Sequence, residues 1–259
     1  MSKGDYLLVL ENISKRFGRV EALKNIDLSI SRGEIIGLVG DNGAGKSTLA
    51  KIIIGYYKPD SGNIYFEGRK VSFKSPIEAR MAGIEMVYQD MALVSYMNIY
   101  RNIFLGREIK RGFWPLKFLD KGRMKKISRE ILRAVGITDK DPDTEISKLS
   151  GGERQAIAIA RAMYFGAKLI IFDEPTSALS VRETANVLNM IRGLKDRGIS
   201  SIVISHNIYH VYSIADRIVV LERGSKVLDV PKDRVTPEEI EQIVGYGIKS
   251  LVRDRGLNI

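Results

Sequence analysis

The 259-residue chain contains no cysteine, one tryptophan, two histidines and seven prolines. Without cysteine there is no disulfide framework and no cysteine-ligated zinc or iron–sulfur centre. No apolar run approaches the ~18–20 residues that cross a bilayer. The opening MSKGDYLLVLEN sets Asp5 and Glu11 around a very short apolar stretch, so it reads as neither a span nor a leader. Internal repeats and low-complexity linkers are missing as well. At 44% hydrophobic residues the chain is too apolar for a disordered tail and should fold. Its length suits one domain over 1–259 carrying an insertion, placed at 91–150. Lysine and arginine exceed aspartate and glutamate, 41 to 31, for a net charge of +10. That surplus suits nucleic acid, nucleotide phosphates or an anionic membrane surface and by itself selects none of them. Most of it is local, because residues 107–133 hold ten basic side chains against Glu108, Asp120 and Glu130.

Hydrophobic periodicity predicts strands over residues 6–39: YLLVLENI, then VEALKNIDLSI with apolar Ile26, Leu28 and Ile30, then the buried-looking EIIGLVG. A helical pattern begins at Lys46 and ends near Gly55, and PDSG turns the chain into the strand NIYFEG. From about Ser75 to Ser147 the texture is helical, as in PIEARMAG and RMKKISREILRAVG, interrupted at KRGFWPLKF. A helix follows KLSGGERQ to about Phe165, LIIFDE is an apolar strand ending in acids, and SVRE at 180–183 is a capping box. SIVIS is a further buried strand, RIVVLERGSKVLDV a hairpin turning at Arg223-Gly224, and Thr236 with Pro237 opens a last helix. Apolar strands alternating with helices predict an α/β fold with a mostly parallel sheet, antiparallel strands at its N-terminal end and an inserted helical subdomain.

The segment Gly40, Asp41, Asn42, Gly43, Ala44, Gly45, Lys46, Ser47, followed by Thr48, fits G-x-x-x-x-G-K-[ST] between a predicted strand and helix. Glycines there let successive backbone N–H groups converge on phosphate oxygens, and the helix aims its positive end at them. Lys46 should reach the β- and γ-phosphates and the Ser47 hydroxyl should bind Mg²⁺. LIIFDE then delivers Asp173 to the magnesium shell. Glu174, one residue on, is placed to polarise an attacking water. LSGGERQ puts Ser150, Gly151 and Gly152 at the opening of another helix, a second anion-binding end. One γ-phosphate does not easily meet both ends of one subunit, so the economical inference is a head-to-tail pair, each signature helix closing on the nucleotide held by the other copy.

In that order the residues resemble the nucleotide-binding subunits of ABC transporters over about 6–245: the phosphate loop at 40–47, Gln89 in VYQD, LSGGERQ, LIIFDE and His206 in VISHN. SPIEARMAGIEMVYQD, NIYRNIFLGREI and VISHNIYHV are most similar to the ATPases of carbohydrate importers, especially single-cassette ones of ribose, xylose or fructose type. The resemblance implies that ATP and Mg²⁺ are bound and that Phe17 stacks on adenine. It implies that Gln89 approaches Mg²⁺ or the attacking water and senses the permease. His206 would contact the γ-phosphate and hold Glu174 and water in line. It further implies a peripheral location on the cytoplasmic face, with a second ATP-binding copy, an integral-membrane permease and, indirectly, an extracytoplasmic solute-binding protein as partners; nucleic acid is not expected. His206 and His210 are four residues apart, but HNIYH lacks the glutamate of H-E-x-x-H, which argues against zinc. The pattern departs at Ser180, which stands where the family usually has an aspartate that communicates across the dimer. The basic insert reads as a solvated helical face with Trp114 and Phe113 filling the subdomain core, in preference to a surface near the permease and the anionic leaflet.

Overall fold

The computed structural model describes residues 5–113 and 116–248. In chain order the strands are β1 (Leu8–Phe17), β2 (Val20–Ile30), β3 (Ile35–Val39), β4 (Ser61–Phe66), β5 (Arg69–Val71), β6 (Ile84–Val87), β7 (Lys110–Phe113), β8 (Leu116–Leu119), β9 (Leu169–Asp173), β10 (Ser200–Ile204), β11 (Arg217–Glu222) and β12 (Ser225–Pro231). The helices are α1 (Lys46–Ile53), α2 (Pro76–Ala82), α3 (Ile99–Ile103), α4 (Lys121–Ala134), α5 (Gly151–Tyr164), α6 (Val181–Lys195), α7 (Ile208–Ile214) and α8 (Pro237–Tyr246). The chain divides into two compact units, the second built from residues 87–166 and 176–190 and the first from the remainder.

The first unit contains an antiparallel sheet in the order β2-β1-β4-β5. Alternation explains it: Leu23, Ile26, Leu28 and Ile30 of β2 are buried while the residues between them face outward or lie partly covered. A second sheet runs β12-β11-β3-β10-β9-β6, with β11, β3, β10 and β9 mutually parallel. Every residue of β3 and β10 is buried, which is why these segments read as continuous apolar runs. β11 and β12 form the expected hairpin, and both turn residues, Arg223 and Gly224, have positive φ (47° and 84°), the two-residue geometry that matches strand twist. Thr236 caps α8 through a reciprocal box with Glu239, and Pro237 occupies its first turn.

The second unit packs α3, α4 and α5 around Ile103, Phe104, Met124, Leu132 and Ile157. Phe104 lies edge-on to Tyr164 and Phe165, with ring centroids 5.7 and 6.0 Å away. One expectation fails here. KRGFWPLKF is not a helical face: β7 and β8 form a two-stranded antiparallel ribbon, and Phe113 is 74% exposed rather than in the core. Trp114 lies outside the described residues. The reason is Gly112, which sits at φ +104°, a conformation no helix accommodates.

Candidate nucleotide site

Within the first unit, three neighbouring parallel strands end at one edge. β10 lies between β3 and β9, and its last residue, Ile204, stands opposite Leu38 on one side and Asp173 on the other. The segments that leave these strands carry the phosphate loop, Asp173-Glu174 and Ser205-His206. Reactive loops at the carboxyl ends of parallel strands follow from the topology itself.

The loop from Gly40 to Gly45 is held by backbone. Gly40 has φ +148°, and a Cβ there would sit 2.2 Å from the Leu221 carbonyl oxygen, so no other residue fits. The Ala44 carbonyl accepts the Gly224 N–H (3.0 Å), and the Gly224 carbonyl accepts the Lys24 N–H (2.7 Å), so the β11–β12 turn braces the loop from behind. Helix α1 begins at Lys46 with no side-chain cap and no acid in its first turn, leaving its positive end to an anion from outside the helix. Ser47 is exposed and Thr48 half-buried. Lys46 is only 7% exposed, and its ammonium donates to the Gly40 (2.6 Å) and Asp41 (3.0 Å) carbonyls. Burial pulls its pKa below the usual lysine range, opposed by the carboxylates of Glu174, Asp41 and Asp173.

Asp173 ends β9 half-buried, and that burial raises its pKa against the pull of Lys51, Lys46 and His206. Glu174 adopts φ +52°, an uncommon choice for a residue with a Cβ and one that costs on the order of 1 kcal/mol or more. Its N–H donates to the Ile204 carbonyl (2.9 Å), so the turn is tied to β10. One carboxylate oxygen, Oε2, accepts from the Ser205 hydroxyl at 3.0 Å. The other, Oε1, is buried without a hydrogen bond and lies 3.3 Å from His206 Nε2. Ser205, itself 3% exposed, is oriented by the Asn207 N–H, which donates to its Oγ at 3.2 Å. In the sequence, Ser205 is marked only by its place directly before His206.

Phe17 closes β1 at 40% exposure. Tyr57 meets its ring edge-on at 5.0 Å and the Lys15 ammonium lies 5.5 Å from its centroid, while Lys51 of α1 lies 5.9 Å from the rings of both Tyr56 and Tyr57. Phe17 is thus part of an exposed aromatic and basic group rather than of the core.

The second unit holds Gln89 and the signature segment. Gln89 is exposed and its amide nitrogen donates to the Ser177 hydroxyl at 3.4 Å. Ser150 caps α5: its hydroxyl accepts the Glu153 N–H (3.2 Å) while Glu153 Oε2 accepts the Ser150 N–H (2.8 Å). The Gly152 N–H donates to Glu183 Oε1 at 3.1 Å. Glu183 also accepts the Ser180 hydroxyl (2.8 Å) and N–H (3.1 Å) on Oε2, which completes the expected SVRE box. These bonds, the Gly152 N–H first, then Ser180 and the Ser150 hydroxyl, pull the Glu183 pKa down to about 2. A Cβ on Gly152 would approach Glu183 Cγ to 2.9 Å, so the glycine permits this contact. The second anion-binding end is therefore already met by two of the chain's own carboxylates. The sequence shows Glu183 only as part of a helix cap.

A profile of the ABC transporter family matches residues 23–177. The chain belongs to this family. As an ABC cassette it is 48% identical to a xylose/arabinose import ATP-binding protein of Sulfolobus acidocaldarius, covering 92% of this chain and 93% of that one. It is 42% identical to a fructose import ATP-binding protein of Rhizobium meliloti, over 92% and 94%. A ribose import ATP-binding protein of Caldanaerobacter subterraneus is 38% identical over 94% of this cassette, which spans only 48% of that longer chain. Among solved structures, a nucleotide-free ATP-binding cassette from an ABC transporter superposes with TM-score 0.80 at 28% identity, covering 93% and 99%. A dimeric cassette in a post-hydrolysis state bound to ADP and Pi gives TM-score 0.73 at 26% identity, over 87% and 98%. The fold is that of an ABC ATPase, and the activity of the family is ATP hydrolysis.

Proposed function

We propose that this ABC ATPase powers import of a sugar, working as a closed pair of copies on the cytoplasmic face of an integral-membrane permease. An extracytoplasmic solute-binding protein would deliver the sugar to that permease. The observation that carries the chemistry is the asymmetry of Glu174: one oxygen is fixed by Ser205, and the other is unbonded, buried and beside His206. A carboxylate held in this way accepts the developing proton of a water at its open oxygen, and His206 keeps that water and the terminal phosphate aligned. Phosphoryl transfer to water asks little else of the protein beyond position and field.

Around that centre the remaining roles follow from the donors each residue offers. The amides of Gly40 to Gly45 and the start of α1 cradle the phosphates, with Ser47 and Thr48 in the first turn. Lys46 turns from the loop carbonyls to the β- and γ-phosphates, and Phe17 offers its exposed ring to adenine. Among the described residues no group of three or more acidic or histidine side chains could hold a metal unaided. Asp173 and the Ser47 hydroxyl would hold Mg²⁺, a hard cation that takes oxygen donors of this kind. The ion would offset charge on the phosphates as the bond breaks. Ser150, Gly151 and Gly152 of a second copy would close the site, which requires Glu183 to share or release the Gly152 N–H.

Glu174→Gln tests the assignment. The variant is expected to bind ATP with unchanged affinity and to hydrolyse it ~10²–10⁴ times more slowly. Hydrolysis at the wild-type rate would remove Glu174 from the mechanism. Reconstitution of the cassette with a candidate permease in vesicles, scored by uptake of labelled pentoses and hexoses, tests the transport reading.

A further inference from the structure

The β7–β8 ribbon exposes what soluble proteins cover. Its register pairs Lys110 with Leu119, Arg111 with Phe118, Gly112 with Lys117 and Phe113 with Leu116. Paired residues share a face. One face therefore carries Phe113, Leu116 and Phe118 with Arg111, and the other carries Lys110 and Lys117 with Leu119. The three apolar side chains of the first face are 74%, 57% and 62% exposed, and all eight described residues of the two strands are exposed. A lone two-stranded ribbon is marginal in water, and an exposed apolar cluster of this kind marks a contact surface.

Charge says what makes the contact. No acidic residue occurs between Glu108 and Asp120, whereas Lys110, Arg111 and Lys117 lie within those bounds. The basic character continues into α4, where Lys121 and Arg123 occupy the first turn behind the Asp120 cap. A protein partner recognising this ribbon would need a matching acidic and apolar pocket. A bilayer rich in anionic lipid supplies both properties over any orientation of the ribbon. Amphipathic elements at an interface sink ~5–10 Å into the boundary between headgroups and acyl chains, a depth that side chains of this size reach. Aromatic and leucine side chains on one face with lysine on the other is the pattern of such elements, lysine stems reaching outward to the headgroups. Among the described residues no helix is long and apolar enough to cross a membrane.

We propose that the β7–β8 ribbon is a membrane-surface anchor that seats Phe113, Leu116 and Phe118 in the headgroup boundary of an anionic bilayer while Lys110, Arg111 and Lys117 meet lipid phosphates. The anchor acts without the permease and is independent of the transport reading.

The test uses the purified full chain and vesicles containing no other protein, made of phosphatidylcholine alone or of equal parts phosphatidylcholine and phosphatidylglycerol. Co-sedimentation is expected with the anionic vesicles only. Lys110→Glu with Lys117→Glu should weaken it by ~25-fold or more, at about fivefold for each basic side chain lost, and high salt should erase the difference. Phe113→Ser with Phe118→Ser should weaken binding at every salt concentration. Both double variants should keep the solution ATPase rate and melting temperature of the wild type, since neither pair lies in the nucleotide site. Equal binding to both vesicle types, or wild-type binding by either double variant, would overturn the proposal. So would an absence of vesicle binding by the wild type, which would assign the ribbon to a protein partner instead.

Discussion

At the scale of single residues, the side chains proposed to act are held by neighbours that orient them. Ser205 is the clearest: it receives the Asn207 N–H and passes its own proton toward Glu174 Oε2, so the carboxylate cannot rotate its free oxygen away from His206. Ser205→Ala should lower kcat by roughly tenfold, the scale of one lost orienting hydrogen bond, while leaving the KM for ATP nearly unchanged. Steady-state kinetics across pH separates this from a folding defect, because an unfolded fraction lowers kcat equally at every pH. Lys46 shows a second residue-level device. Its burial lowers its pKa, so the protonated form is costly until a stronger partner than backbone carbonyls arrives, and Lys46→Ala should abolish nucleotide binding rather than merely slow turnover.

At the scale of elements, the start of α5 is joined to the start of α6 by Glu183. Its pKa falls from an ordinary 4.5 to about 2, with the Gly152 N–H the leading cause. For an acid whose folded pKa is depressed, the stabilisation is fully present above pH 4.5 and disappears as pH falls toward 2. Glu183→Gln should therefore melt below the wild type at pH 7 and converge with it near pH 2, read by circular dichroism melts at a series of pH values. A gap that stays constant with pH would mean the carboxylate's charge is not what stabilises this junction. Ser180→Asp should widen the junction by placing like charges together, at Ser180's present contact with Glu183 Oε2. These cases also show what was readable from sequence. Local grammar was: the phosphate loop, the SVRE box, the Arg223-Gly224 turn and the Thr236 cap each declare themselves within a few residues. The bond from Gly152 to Glu183 joins positions 31 residues apart, and the brace from Gly224 to Ala44 joins positions far more distant; neither leaves a local trace. The β7–β8 ribbon is hidden in the sequence for a different reason. Its strands are only four residues each, too short for a periodicity to show, and lysine, arginine and leucine all have good helix propensity.

At the scale of the whole molecule, nucleotide should act as a stabiliser and as an assembly signal. A ligand at a hundred times its Kd contributes ~2.7 kcal/mol, which for a chain of this length raises the melting temperature by roughly 5–10 °C. Calorimetry with and without ATP measures this, and Lys46→Ala should show no shift. Glu174→Gln mixed with ATP should elute from gel filtration at twice the mass of the apo chain, since the closed pair no longer resolves by hydrolysis. Elution as a single copy at high protein concentration would speak against the head-to-tail pair.

Strand β10 is the reference level for the edge of the sheet. Because Ile204 faces Leu38 and Asp173 at the same level, this one strand sets the height of all three reactive segments, much as a common datum does for separately made parts. Removing one residue from it would draw His206 and Ser205 back by ~3.4 Å and reverse which side each side chain faces. Length changes are thus intolerable within the five residues of the strand and in the short segments that leave the three strands, so a new docking surface belongs on loops remote from this edge.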